Sequence, residues 1–130
     1  MKKLALLFIA VITSCNFNSS PYDIHSALEE TAQKINEKCP MTIDKDTRLD
    51  NVAILSNKTI LYNYTLINSS IEDLNLDSVK DDFSINLTNK VKTNPGLKKF
   101  RENNVTMSYY YADKNGRFIF KHTVTPKMYN

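Results

Sequence analysis

The sequence predicts an α+β fold: an antiparallel sheet of four to five strands, with an N-terminal helix, a middle helix and a short helical turn packed on one face. Two segments repeat apolar residues at three- and four-residue steps, which is typical of amphipathic helices. Two further pairs of segments alternate β-branched and aromatic residues around short turn sequences, which is typical of hairpins. Strands joined by short turns run antiparallel, and the apolar face of their sheet needs helices to cover it.

The first helix is expected to begin at Pro21, because Ser20 can cap it and proline suits the first helical position. Pro40 ends this helix, because the residue before a proline is pushed out of helical geometry. Its apolar stripe consists of Ile24, Ala27, Leu28, Thr31, Ile35 and Cys39.

The first hairpin is predicted from strands at residues 51–55 and 59–67, with residues 56–58 as the turn. Residues 41–50 are a candidate edge strand. In the second strand, alternate residues point to the same side of the sheet. The face predicted to lie in the core carries Ile60, Tyr62, Tyr64 and Leu66.

The middle helix is predicted to start at Asp77 or Ser78, either of which can serve as its cap. A stripe with a four-residue step indicates its buried face, and the sequence Asn94-Pro95-Gly96 breaks it. Leu97 and Phe100 indicate a further short turn of helix. The residues of the stripe are Val79, Phe83, Leu87 and Val91.

The second hairpin has the strongest turn signal in the chain, Asn115-Gly116, because both turn residues tolerate a positive φ. Apolar and aromatic residues alternate on both sides of this turn. They are Val105, Met107, Tyr109 and Tyr111 before it, and Phe118, Phe120, His122 and Val124 after it.

The first fifteen residues resemble the signal peptide and lipobox of bacterial lipoproteins. Lys2 and Lys3 precede an apolar run of nine residues, 4–12, which is too short to span a bilayer, and Thr13-Ser14 leads to Cys15. The resemblance implies that Cys15 receives a diacylglyceryl group, that residues 1–14 are removed, and that residues 15–20 tether one domain, 21–130, to a membrane. Ile12 stands where leucine is usual. An ordinary secretory signal or an uncleaved anchor remains the alternative.

A second resemblance covers part of the following domain. The segments Cys39-Pro40-Met41-Thr42-Ile43-Asp44, Arg48-Leu49-Asp50 and 62–66 resemble small, uncharacterised bacterial exported proteins, which implies no known activity.

Charge and cysteine content exclude several classes of function. Without the two lysines of the signal peptide, 15 basic side chains face 14 acidic ones, so we expect no nucleic-acid partner. If Cys15 is lipidated, Cys39 has no partner for a disulfide. The densest basic group is expected to complement the dipole at a helix end, and it consists of Lys90, Lys92, Lys98, Lys99 and Arg101.

Few residues are candidates for chemistry. Cys39 falls at the C-terminal end of a helix, where the dipole disfavours a thiolate, so it is interpreted as a small buried hydrophobe. The aspartates 44, 46 and 50 lack the glycine and further ligands of a calcium loop, and Arg48 is expected to pair with one of them. Two histidines without a cysteine cluster give no zinc site. We therefore expect no enzyme, no metal and no cofactor.

Tyrosines are the most informative polar residues, since tyrosine combines apolar area with a polar tip and is enriched at binding surfaces. The alternative is that these rings simply cover a half-buried sheet. Strand alternation puts Tyr110 on the face opposite to the other four. The candidate binding residues are Tyr62, Tyr64, Tyr109, Tyr110 and Tyr111.

Three classes of function follow from these observations. The leading hypothesis is a non-catalytic envelope protein, anchored through Cys15 to the cell membrane or the outer membrane, whose domain binds a protein partner in the periplasm or at the cell surface. An immunity or inhibitor lipoprotein is one form of it. The second is a module for a small ligand, glycan or lipid, which requires an apolar pocket between sheet and helix. The third is an enzyme that uses Cys39 or the aspartates.

Overall fold

The computed structural model describes residues 23–56 and 58–130. The predicted signal peptide, Cys15, the tether and the predicted helix start at Ser20 and Pro21 lie outside the described residues. No helix in the described ranges is both long and apolar enough to cross a membrane. In chain order, the elements are α1 (Ile24–Asn36), β1 (Met41–Thr42), β2 (Thr47–Leu55), β3 (Thr59–Leu66), α2 (Leu76–Thr93), α3 (Lys98–Glu102), β4 (Thr106–Ala112), β5 (Phe118–Val124) and α4 (Pro126–Tyr129), with 3₁₀ turns at Ile71–Asp73 and Pro95–Leu97.

The sheet has five strands in the order β1-β2-β3-β4-β5, so the predicted α+β class and strand number are confirmed. Both predicted hairpins, β2–β3 and β4–β5, are antiparallel. The prediction of a wholly antiparallel sheet is wrong at one pairing, because β3 and β4 run parallel. The segment between them contains α2 and α3, and such a crossover returns the chain to the end of the sheet where β3 began.

Helix α1 ends earlier than the sequence predicts, at Asn36 rather than at Cys39. Asp23 caps it, accepting hydrogen bonds from the backbone N–H of His25 (3.0 Å) and the hydroxyl of Ser26 (2.7 Å). At the C-terminal end, the side-chain amide of Asn36 donates to the C=O of Val52 in β2 (2.8 Å) and accepts from the N–H of the same residue (2.7 Å). This pair of bonds fixes the end of α1 against the sheet.

Other boundaries also differ from the predictions. The candidate edge strand at 41–50 divides into the two-residue β1 and the beginning of β2. Asn75, rather than Asp77 or Ser78, caps α2 by accepting from the N–H of Ser78 at 3.1 Å. The C-terminal helix α4 was not predicted, and the hydroxyl of Tyr129 in it donates to the C=O of Val105 at 2.7 Å.

The core lies between the helices and one face of the sheet. The predicted stripe of α2 is confirmed by the burial of Leu87 and Val91. In α1, Leu28 of the predicted stripe is buried together with Ala32, which the predicted stripe does not include. Val79 and Phe83 at the start of the α2 stripe are partly buried against the same core. The strands contribute the buried side chains Leu49, Val52, Ile60, Tyr64, Leu66, Met107, Tyr109, Tyr111, Ile119, Phe120 and Val124.

The β4–β5 turn is organised by Asp113, which is fully buried. Its carboxylate accepts from the backbone N–H groups of Asn115, Arg117 and Ile71, each at 2.9 Å. Burial opposes ionisation, but these bonds and the Arg117 guanidinium still hold the pKa of Asp113 below its usual value. Gly116 has φ +80°, but Asn115 does not have a positive φ, so the predicted two-residue turn is wrong in its geometry: residues 113–116 form a four-residue turn closed by a bond from the N–H of Gly116 to the C=O of Asp113 (3.0 Å). Arg117 also binds Glu72, so the second hairpin is joined to the segment before α2.

Candidate functional site

Four of the predicted tyrosines form stacked pairs across β3 and β4. The parallel register places Tyr62 beside Tyr109 and Tyr64 beside Tyr111. Their ring centroids are 5.1 Å and 4.9 Å apart, with nearly parallel planes, and Phe120 of β5 stacks on Tyr111 at 5.0 Å. Such offset stacks stabilise a core beyond the area they bury. The rings are therefore a structural part of the helix-covered face.

Burial keeps these phenols neutral. It raises the pKa of Tyr64 to about 12, and it raises the pKa values of Tyr62, Tyr109 and Tyr111 still further. A binding surface made of all five tyrosines stays a prediction, and it is restricted because Tyr64, Tyr109 and Tyr111 are buried and Tyr62 is partly buried. Tyr110 is partly exposed on the opposite face, where its ring lies 5.2 Å from that of Phe118.

An opening in the helix layer exposes the edge of this aromatic core between α2 and the β1–β2 loop. We call it the α2–loop groove. It consists of two adjoining depressions of about 190 and 730 Å³, which share Asp44, Thr47 and Phe83. The smaller one is lined by Ile43, Asp44, Thr47, Tyr64, Phe83, Asn86, Leu87, Lys90 and Tyr111, and the larger one adds Lys45, Asp46, Leu66, Asn68, Ser69, Leu74 and Val79.

The loop side of the groove has a fixed shape. The Asn68 side-chain amide donates to the C=O of Lys45 (3.0 Å) and to the Asp46 carboxylate (2.9 Å). The N–H of Ile43 donates to the C=O of Thr47 at 2.9 Å. The bond from the N–H of Asp46 holds the pKa of Asp44 below its usual value, so Asp44 is charged at neutral pH. These bonds present Ile43 at the rim with 48% of its surface exposed.

The groove combines an apolar floor with charges at its rim. Tyr64, Tyr111 and Phe83 form the floor, Asp44 lies on the loop side and Lys90 on the helix side. Protein-binding sites have this arrangement, in which a desolvated aromatic centre is surrounded by polar groups that orient the partner.

The three aspartates considered as candidate calcium ligands have structural partners. Asp50 pairs with Arg48 at 2.6 Å, as predicted, and accepts from the hydroxyl of Thr65 at 2.5 Å. Within residues 23–56 and 58–130, no three His, Cys, Asp or Glu side chains lie together as a metal site would require.

A second cleft of about 570 Å³ lies between α1 and the α2–α3 connection, beside Tyr62. Charged residues line part of it, including Glu30 and Lys34, which pair at 2.6 Å. The predicted role of the basic group at a helix end is confirmed for Arg101, whose guanidinium donates to the C=O of Val91 (2.9 Å) and of Asn94 (2.7 Å).

In the part of the chain that the structure describes, Cys39 is not paired with either histidine. Cys39 is partly buried against the core, in agreement with its interpretation as a small hydrophobe, and burial together with the charge of Asp50 raises its pKa. His25 pairs with Glu29 at 3.2 Å. Nε2 of His122 bonds the hydroxyl of Thr88 at 2.8 Å, and burial lowers the pKa of that ring, so it is neutral at pH 7.

Three solved structures share this fold. A Pseudomonas aeruginosa protein described as a candidate secreted protein is 15% identical, with a TM-score of 0.69 over 82% of this chain and 93% of that one. The pilotin EpsS from the type 2 secretion system of Vibrio vulnificus is 7% identical, with a TM-score of 0.65 over 82% and 92%. The type II secretion system pilotin AspS from Vibrio cholerae is 8% identical, with a TM-score of 0.61 over 81% and 91%.

At these identities the likeness is one of fold. No curated protein matches the chain. Residues 24–120, which span α1 to β5, match the model of a domain of unknown function, DUF8479, and the chain therefore belongs to that family.

Proposed function

We propose that this chain is an exported, lipid-anchored envelope protein without catalytic activity, and that it binds a protein partner through the α2–loop groove. The sequence around Cys15 supports the anchor. Two of the proteins that share its fold are pilotins of type II secretion systems, so an accessory role in an envelope secretion machine is one specific form of the proposal.

The observation that carries the binding proposal is the aromatic floor of the groove below an exposed apolar rim. A hydrophobic side chain of the partner, placed over Tyr64, Tyr111 and Phe83, would bury apolar surface. Each Å² buried would contribute about 25 cal/mol to the free energy of binding. Asp44 and Lys90 on opposite walls would then fix the orientation of the partner through complementary charges.

Site-specific photocrosslinking in the native cell tests this proposal. A photoreactive amino acid replaces Ile43 in the full-length chain, and the matched control carries it at Leu55, which is also apolar and 39% exposed but lies at the end of β2. We expect a discrete adduct from position 43 that is absent at position 55. The substitution Lys90→Glu should reduce that adduct.

Either of two results would contradict this function. One is the same set of adducts from both positions, which would indicate random collisions. The other is the absence of any adduct from position 43 in cells where the protein reaches its membrane.

A second candidate function is the binding of a small amphiphile in the cleft between α1 and the α2–α3 connection. Its volume, about 570 Å³, lies within the range of ligand sites. Slower hydrogen exchange of the Ala27 and Thr31 amides in the presence of a detergent or lipid monomer, measured by NMR, would support this function. Unchanged spectra would exclude those ligands.

A further inference from the structure

The second surface of interest is the edge of the sheet formed by β5. In the described part of the chain, β5 pairs only with β4, so its outer edge presents main-chain N–H and C=O groups with no strand beside them. The opposite edge is β1, which has only two residues. Proteins usually protect a long edge by shortening it, by adding proline or by placing a charge on it. In β5 the devices present are the charge of Lys121 and a bulge at Ile119, where the register with β4 shifts between Phe118 and Phe120.

A groove runs along this edge beneath α2, and we call it the β5 edge groove. It consists of two depressions of about 320 and 300 Å³ that share Ser84. It uses a different side of α2 from the α2–loop groove. The lining residues of the first depression are Lys80, Ser84, Phe118, Phe120 and Lys121, and those of the second are Ser84, Ile85, Thr88, Asn89 and His122.

The two walls of the β5 edge groove match in length. From Lys80 to Asn89, α2 rises by roughly 13 Å at about 1.5 Å per residue. From Phe118 to His122, β5 extends by roughly 13 Å at about 3.3 Å per residue. An extended segment of about five residues therefore fits in the groove beside residues 118–122 of β5.

Exposed apolar side chains flank this groove. Four large apolar side chains are exposed in the described ranges, and two of them are here: Phe118 with 53% and Ile85 with 61% of its surface exposed. One lies on the strand and the other on the helix. A strand placed between them would cover both.

The charge of the groove selects the occupant. Lys80 and Lys121 line it, no carboxylate does, and neither lysine forms an ion pair with a residue that the structure describes. Lys121 is the central residue of β5. If two copies of β5 paired antiparallel about their centres, the two lysines would face each other, which is unfavourable. The charge therefore disfavours a second copy and favours a partner with an acidic residue.

We propose that the β5 edge groove binds an extended segment of a partner protein, which carries a carboxylate side chain between apolar residues and adds a further strand to the sheet beside β5. The main-chain bonds along β5 would supply affinity, and the two lysines would set the register. This surface is independent of the α2–loop groove, so either can fail without the other.

Designed peptides test the proposal on the full-length chain. The probe is a fluorescein-labelled nine-residue peptide that alternates valine and threonine with glutamate at its centre, and its twin has lysine there. We expect the glutamate peptide to bind and to protect the amides of residues 118–124 from deuterium exchange. Lys121→Glu should weaken that binding at least roughly tenfold, because like charges then face each other, and should make the lysine peptide the better ligand.

The matched control is Lys38→Glu, an exposed charge reversal beyond the end of α1, which should leave both affinities unchanged. The proposal is overturned if the glutamate peptide leaves the amides of 118–124 unprotected, or if Lys38→Glu weakens binding as much as Lys121→Glu. Protection of β5 that appears without peptide and rises with protein concentration would instead place a second copy in the groove.

Discussion

Replacing Leu28 by alanine should destabilise the domain by about 3 to 4 kcal/mol. Leu28 is fully buried on the face of α1 that packs against β2. The substitution removes three carbon atoms, which corresponds to about 2.4 kcal/mol at about 0.8 kcal/mol for each buried CH₂ group. The remaining cavity adds to this loss, and measured Leu-to-Ala costs in protein cores lie at about 2 to 5 kcal/mol.

Urea unfolding of the chain from residue 16 onward, followed by circular dichroism, measures this loss. With an m-value of about 1 to 3 kcal/mol per M, the midpoint should fall by roughly 1 to 4 M. The control is Ile85→Ala in α2, where 61% of the side chain is exposed, and its change should stay within about 0.5 kcal/mol. If Leu28→Ala costs less than about 1 kcal/mol, or no more than the control, α1 does not pack on the sheet as described.

Four further predictions concern other parts of the molecule. Gly116→Ala should lower stability by about 1 to 2 kcal/mol in thermal unfolding, because φ is +80° there while no atom lies within 4 Å to clash with the new Cβ. Hydrogen bonds from Arg117 hold the pKa of Glu72 at about 2, below its ordinary value of 4.5. The contribution of Glu72 to stability is therefore present above about pH 4.5 and is lost as the pH falls through 2. In urea titrations, Glu72→Gln should lose less stability on acidification than the natural chain. Burial raises the pKa of Tyr64 to about 12, so its contribution is present below pH 10 and is lost as the pH rises through 12, and phenolate absorbance near 295 nm should develop together with unfolding. A disulfide reagent at pH 8 should modify Cys39 at least roughly tenfold more slowly in the native than in the urea-unfolded protein, because burial raises the thiol pKa, and equal rates would contradict that burial.

Local patterns were sufficient to predict most of the elements. The stripe from Phe83 to Val91 identified α2, and Asn115-Gly116 identified the second hairpin, because both signals depend only on neighbours in the sequence. The parallel pairing of β3 with β4 could not be read in the same way. It depends on the path of the whole α2–α3 segment, and no residue in either strand encodes it.

The candidate sites were harder to predict for the same reason. Tyr64 and Tyr111 are 47 positions apart in the sequence and stack only because of the parallel register. Ile43 carries no signal in the sequence that distinguishes it from a core residue. Its exposure results from the shape of the β1–β2 loop, which Asn68 fixes through hydrogen bonds. Asn68 is distant from this loop in the sequence, because the whole first hairpin lies between them.

Mass spectrometry of the protein isolated from its own cells tests the membrane-anchored account most directly. That account predicts a chain that begins at Cys15, with a diacylglyceryl group on its sulfur. A chain that retains residues 1–14, or that has an unmodified thiol at position 15, would contradict it.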